Sequence, residues 1–490
     1  MTARGKEAAA LALHRFGFGP ATGSIAAIAT DPQGALMADL ARPQAGLVAA
    51  SLPSSTQAAR AVSDFQAEQQ AKRKLEARAK QAEADNAASS VSCRQPSGLP
   101  CVAPMANEAV NQAPQMAQPQ QAAQPPVPQQ LFQNEAKIRF DAAVAFDIGF
   151  VERLVWFWSN HFCISADKAV GMAGAYEREA IRPHVLGRFA DMLQAVESYP
   201  GMLVYLDNTE SMGADSIGGI NRDKGLNENL AREIMELHTL GVHSGYTQKD
   251  VTSFANIITG WSWVRPEDPA HGGEFEFSKR LHQPGAQIVL GKSYADTGVA
   301  QGRAVLADLA RHPATAQHIA EKLAHHFVAD APPPSLVGRL ATTFKNTDGD
   351  LKAVAETLVT ADESWAPQRG KFKPSAVWLM AMYRLTGILP SNTIGQVLGA
   401  QATLGQSLWR PPAPNGYPDT EAAWIDGVPR RLDIANALAG RVAGRSDQLA
   451  LLDAALGPLA SAETRSTIGR AESRAQALAL LFMAPEFLRS

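Results

Sequence analysis

The sequence predicts an all-α protein: a multi-helical globular body with at most a small β-hairpin, interrupted by a low-complexity insertion. Three observations carry that prediction. Apolar residues recur at helical spacing in one segment after another, and the segments stop at glycine, proline or a capping residue. β-prone runs are confined to Phe275-Glu276-Phe277 and 287–290, which flank turn residues and suit one small hairpin. With 46% hydrophobic and 19% charged residues in 490 positions, the chain has the composition of a globular protein with material for a sizeable core. No fixed repeat period appears, which argues against a solenoid.

Taken in order, residues 8–50 read as two short helices separated by the turn Gly17-Phe18-Gly19-Pro20. Residues 56–88 are rich in Ala, Gln, Glu and Lys and suit a solvated helix. The stretch 89–130 turns to Gln, Pro and Ala, a composition that buries too little apolar surface to offset its ordering entropy. The organisation is therefore an N-terminal helical segment (1–55) packing on the body, a linker or insertion (56–130) and a main helical body (131–490). Within that body an apolar helix spans 135–161 and another spans about 184–198. A third covers 226–240 and stops at Gly241. Thr247 with Asp250 forms a capping box for the next helix, which ends at Gly260. Four or five helices follow over 299–386, with Asp348-Gly349-Asp350 read as a helix N-cap. The last third repeats the style.

Composition excludes several classes. A net charge of -3 lacks the basic footprint of a nucleic-acid binder. No run of about 18 apolar residues predicts a transmembrane helix. The stretch after Met1 meets His14 and Arg15 before a long apolar region or cleavage site develops, so no export leader is read there. Three cysteines are too few for a disulfide scaffold or a cysteine zinc cage. Cys93 and Cys101 either pair in an oxidising compartment or remain free thiols in a loop. Walker A, Gly-x-Ser-x-Gly and dinucleotide fingerprints are absent. Asn221-Arg222-Asp223-Lys224 looks superficially like a kinase catalytic loop, but no Gly-rich loop, strand lysine or metal-binding DFG accompanies it.

The densest polar constellation lies on the 226–240 helix. At about 100° per residue, Glu228, Asn229, Arg232, Glu233 and Glu236 fall within one arc of roughly 140°. Three carboxylates and a guanidinium on one face suit general acid/base work, metal ligation or a clamp on a cationic or hydroxylated substrate. The same residues also suit a solvated face of (i, i+4) pairs, each worth about 0.2–0.5 kcal/mol. His238 falls on the apolar side and reads as a buried histidine bonding a distant group, because neither the zincin nor the di-iron spacing is present. His161 ends an aromatic helix and is expected inside. It pairs with a carboxylate of the 226–240 helix as a proton-transfer dyad, or else fastens two helices together with Asn160; the second reading is preferred. Arg182 binds an anionic group or forms an internal salt bridge to Glu228, Glu233 or Asp207. His325 and His326 read as surface or interface groups. The segment from Trp409 to Trp424 is either a ligand groove or a packed irregular loop, with the loop preferred.

Several stretches carry a family resemblance: LHRFGFGP (13–20), WFWSNHF (156–162), YEREAIRPHVLGRFADML (176–193), GLNENLAREIMELHTLGVHSGYTQKDV (225–251), HPATAQHIAEKLAHHFV (312–328) and GQSLWRPPAPNGYPDTEAAWI (405–425). On these the chain resembles the bacterial family known as domain of unknown function 1800, over nearly all its length except 56–130. The resemblance implies a large, mainly helical protein whose relatives are often exported and encoded beside a sulfatase-like partner. It also favours a role for the glutamate face. Two readings follow. One is an enzyme with catalytic Glu228, Glu233, Glu236 and His161 and binding residues Arg182, Arg232, Asn229 and Asp207. It would perform hydrolytic or proton-transfer chemistry on a polymeric or hydroxylated substrate, with metal dependence and cofactor left open. The other is a non-catalytic scaffold for the sulfatase-like partner. They diverge on whether those acids and His161 line one solvent-reachable pocket.

Overall fold

A computed structural model describes residues 3–49, 51–91, 124–220, 225–444 and 447–490, with backbone alone over 86–91. Cys93, Cys101 and the segment Asn221 to Lys224 lie outside the described residues. The fold is all-α, with two two-stranded sheets and two isolated antiparallel bridges among the described residues. No described helix is long and apolar enough to cross a membrane.

The N-terminal region forms α1 (Ala3–Arg15), α2 (Ser24–Ile28) and α3 (Pro32–Ala41), one helix more than the sequence predicted. Ala9 to Arg15 are all buried, so α1 enters the core with one charged end. Arg15 is solvated by carbonyls: its guanidinium donates to Ser364 and Ala366. The long helix α4 (Ser55–Val91) anchors Ala58, Ala59 and Val62 in the body and then runs out exposed through residue 85. Its 37 residues span roughly 55 Å.

The predicted helix over 135–161 is two helices, α5 (Val127–Ala145) and α6 (Phe150–His161). Two distant groups cause the break. Arg384 takes the carbonyls of Phe146 and Asp147, which a continuous helix would need for itself. Asp39 caps α6 from α3, accepting the amides of Phe150 at 2.9 Å and Val151 at 3.2 Å. Gly149, at φ 78°, supplies the bend between them.

Helices α7 (Ala173–Tyr176), α8 (Phe189–Glu197) and α9 (Pro200–Tyr205) lead to the predicted 226–240 helix. Only Asn229–Glu233 (α10) is α-helical there, and Ile234–His238 closes as a π turn. The Thr247 capping box forms as predicted and starts α11 (Gln248–Ile257). The single expected hairpin is instead two. Strand β1 (Trp261–Trp263) pairs with β2 (Phe275–Phe277), and β3 (Gln287–Val289) pairs with β4 (Lys292–Tyr294). The second closes through Leu290 and Gly291 at φ 50° and 77°, a two-residue turn of the kind that follows strand twist.

Helices α12 (Val299–Arg311), α13 (Pro313–Phe327), α14 (Pro334–Asn346) and α15 (Leu351–Thr360) pack in succession, and Asp350 caps the last as predicted. Helix α16 (Ser375–Thr386) is buried from Ser375 to Leu385, as its almost unbroken apolar sequence requires. The remaining helices, α17 (Ile394–Thr403) to α23 (Pro485–Leu488), close over it. There the two ends of the chain meet. Lys373 donates to His14 Nδ1 at 2.9 Å and to the Phe487 carbonyl, and the Lys373 amide bonds Leu488.

Candidate functional site

Helix α13 carries His318, Lys322, His325 and His326 at positions i, i+4, i+7 and i+8, so they share a face. Facing them are the last turn of α6, with Asn160 and His161, and the irregular segment 413–419. Together they line an open cleft of about 460 Å³, a size that suits a small molecule. A smaller void of about 90 Å³ shares Asn160, His326, Tyr417 and Asp419 with it. Asn160 pins the loop: its amide donates to the Tyr417 carbonyl at 3.0 Å and accepts the Tyr417 amide at 2.8 Å. Gly416 makes that approach possible, since a Cβ there would lie 2.4 Å from the Asn160 carbonyl.

Three of the imidazoles are fixed by main-chain carbonyls. His161 Nε2 donates to His238 at 3.2 Å, His318 Nε2 to Leu237 at 3.1 Å and His325 Nε2 to Asp419 at 2.5 Å. A carbonyl can only accept, so each ring keeps its proton on Nε2 and presents Nδ1 as a lone pair. The Leu237 and His238 carbonyls are free because the helix ends there: Thr239 leaves helical angles at φ −129°, ψ −92°. His161 Nδ1 is buried with no hydrogen-bond partner. Such an orphan costs of order 1–3 kcal/mol.

His326 is oriented the other way. Its Nε2 lies 3.2 Å from Arg153, which can only donate, so its Nδ1–H donates to Asp419 Oδ2 at 2.6 Å. Asp419 also meets Lys371 Nζ at 3.2 Å, and Lys371 meets Asp330 at 2.8 Å. Burial pushes Asp419 upward, yet His326, Lys371 and His325 together hold it down at about 2. Lys322 has no such anion: among the described residues it makes no ion pair or hydrogen bond. Burial lowers it to about 8, against a weaker upward pull from Cys163 and Asp419. Burial, then the Lys322 charge, lowers His318 to about 4 and takes His161 well below the usual imidazole range. Near neutral pH the cleft thus places the uncharged rings of His161 and His318 beside a lysine poised between its two forms.

The chain matches the family model described as "Protein of unknown function (DUF1800)" over residues 11–489. It belongs to that family. No curated protein and no solved structure matches the chain.

In this family member the sequence-predicted residues fall into separate places. Arg232 bridges Glu228 at 3.0 Å and Glu236 at 3.4 Å, with all three side chains 26–35% exposed. Glu228 also accepts from Thr252 and Gln248, which hold its carboxyl below the usual range. Glu233 makes no hydrogen bond among the described residues, and burial raises it. None of the three acids lines the cleft that His161 lines. His161 meets their helix through a carbonyl, not a carboxylate, and Asn160 fastens the 413–419 loop. Asn229 is exposed, and Asp207 forms an exposed pair with Lys168 at 2.8 Å.

Arg182 has different partners from those predicted. It is buried in two-pronged contact with Glu152 (2.7 Å to each oxygen) and reaches Glu177 at 3.0 Å. Arg139 completes a buried quartet on Glu177, with Trp156, Ser159 and Trp409 donating to the same carboxylates. His238 is buried as predicted, with Nδ1 2.8 Å from Glu197. His325 and His326, predicted as surface or interface groups, line the cleft because Asp419 approaches from a loop 93 residues away. Sequence reading missed Lys322 and Asp419 as well; the polar stripe on α13 was the available signal. Among the described residues no three His, Cys, Asp or Glu side chains are placed to hold a metal ion.

Proposed function

We propose that the protein is an acid–base enzyme and that proton transfer to and from a small hydroxylated or carbonyl-bearing substrate takes place in the His161–Lys322 cleft. One observation carries this reading. A lysine without an anionic partner faces an open cavity whose wall includes His161, a ring with a buried, unpartnered Nδ1. A donor and an acceptor both left unsatisfied are what a ligand would complete.

Proton transfer is favoured over hydrolysis through a protein nucleophile. Burial pushes the Cys163 thiol up to about 12, where it is not a thiolate, and it donates to the Pro414 carbonyl at 3.2 Å. The Ser159 hydroxyl is committed to Glu177 at 2.8 Å. A cleft of about 460 Å³ suits a small molecule or the end of a polymer better than a polymer's middle.

The test uses a mixture of small sugars, hydroxy acids and keto acids in D₂O, with C–H to C–D exchange followed by NMR. Exchange is expected in one compound class and should fall by about 10²-fold or more in His161→Ala and Lys322→Met. No exchange in any class, or exchange surviving both changes, would overturn the reading. The scaffold reading, with a sulfatase-like partner, draws support from the exposed Ile217 and Ile220 on the loop before the glutamate helix. It predicts partner capture unaffected by either cleft substitution.

A further inference from the structure

Among the described residues, Lys322, Lys371 and Lys373 lie near or within the core, and their surroundings differ in kind. Lys371 is ion-paired with Asp330 and Asp419. Lys373 is fully buried, bonded to His14 and the Phe487 carbonyl, and lines neither of the cavities beside His326. Lys322 alone of the three combines access from an open cleft with the lack of an anion. The carboxylate nearest in function, Asp419, is already occupied by His326 and Lys371. The rings of His161, His318 and His325 offer only lone pairs on their free nitrogens, because their N–H groups are spent on carbonyls. Glu321 also lines the cleft but makes no ion pair with Lys322 among the described residues, so no carboxylate on this wall is paired with the ammonium.

From that arrangement we infer that Lys322 is an amine nucleophile that forms an imine with a small aldehyde or ketone bound in the cleft. The inference deepens the acid–base reading and rests on it for the purpose of the imine, though not for its formation. The amine lone pair forms a C–N bond to the carbonyl carbon, and the C=O π electrons move to oxygen. Both amine protons pass to that oxygen, which leaves as water when the C–O bond breaks; no oxidant or reductant is needed. Water admitted by the open cleft carries those protons from nitrogen to oxygen. Burial supplies the free amine: with Lys322 lowered to about 8, a useful fraction is unprotonated at pH 7. Once formed, the imine withdraws electrons from the neighbouring C–H bond, which is the proton the proposed enzyme would move.

The experiment treats the full chain at pH 7 with acetaldehyde and sodium cyanoborohydride, which reduces any imine to a stable N-ethyl amine, and maps the adducts by peptide mass spectrometry. Lys322 should be ethylated roughly tenfold or more faster than the exposed Lys249, Lys279 and Lys345. The preference should vanish in concentrated urea, and Lys371 and Lys373 should stay unmodified in the folded protein. Labelling of Lys322 no faster than the exposed lysines, or a preference that persists in urea, would overturn the inference. Trapping does not depend on turnover. Exchange in D₂O without trapping would therefore sink the imine alone, and trapping without exchange would sink the proposed reaction alone.

Discussion

The glutamate face around Arg232 and the histidine–lysine cleft are both clusters of titratable side chains, yet they are built on opposite principles. Around Arg232 every charge but that of Glu233 has its partner, and the cluster sits at the surface, where water screens what remains. In the cleft only His326 is matched to a carboxylate; three other rings are held by main-chain carbonyls, and Lys322 and the buried Nδ1 of His161 have no partner among the described residues. A saturated cluster contributes a little stability. An unsaturated one costs stability and leaves chemistry available, so capacity for function follows the missing partner more closely than the density of charge.

The largest expected effect sharpens this contrast with a third case, the buried and fully paired quartet. Arg182→Met leaves Glu152 buried without a cation and Glu177 with Arg139 alone, and should lower stability by about 3–5 kcal/mol in urea unfolding. A loss under about 1 kcal/mol would mean the quartet is not the closed unit described. Next is pH. His318 is lowered to about 4 when folded, so between an unfolded value near 6.5 and that point the unfolded chain binds the extra proton. Its contribution is complete above about pH 6.5 and is lost as pH falls toward 4, at up to about 1.4 kcal/mol per pH unit. His318→Asn should flatten part of that slope, leaving the share from His161.

Smaller still, Lys322→Met removes a buried ammonium without an anion and should raise stability by about 1 kcal/mol while abolishing reductive trapping. Loss of stability on that change would show that Lys322 has a structural partner after all. Smallest is Arg232→Met. Each exposed pair it breaks is worth at most about 1 kcal/mol, and the rate of trapping at Lys322 should not move. A large change in that rate would couple the two clusters and break the comparison.

What was legible in the sequence was what neighbours in the chain decide. The Thr247–Asp250 box, the Asp350 cap, the solvated helix after residue 56 and the all-α class rest on local spacing. What was hidden depends on partners far along the chain. Asp39 and Arg384 divide the predicted 135–161 helix from 111 and more than 200 residues away. The π turn at Ile234–His238 changes the phase on which the arc of acids was drawn, and the helix end at Thr239 frees the carbonyls that hold His161 and His318. His326 read as a surface group because its anion is on a loop that no local pattern ties to α13.

The joining of Lys371 and Lys373 to the final residues bears on when the cleft comes into being. Lys373 bonds Leu488, the Ser490 amide bonds the Lys371 carbonyl, and Lys371 in turn sets Asp419 against His326. These contacts await residues 488–490, so a chain made only as far as residue 487 lacks part of what holds Asp419 and His326 in the wall beside Lys322.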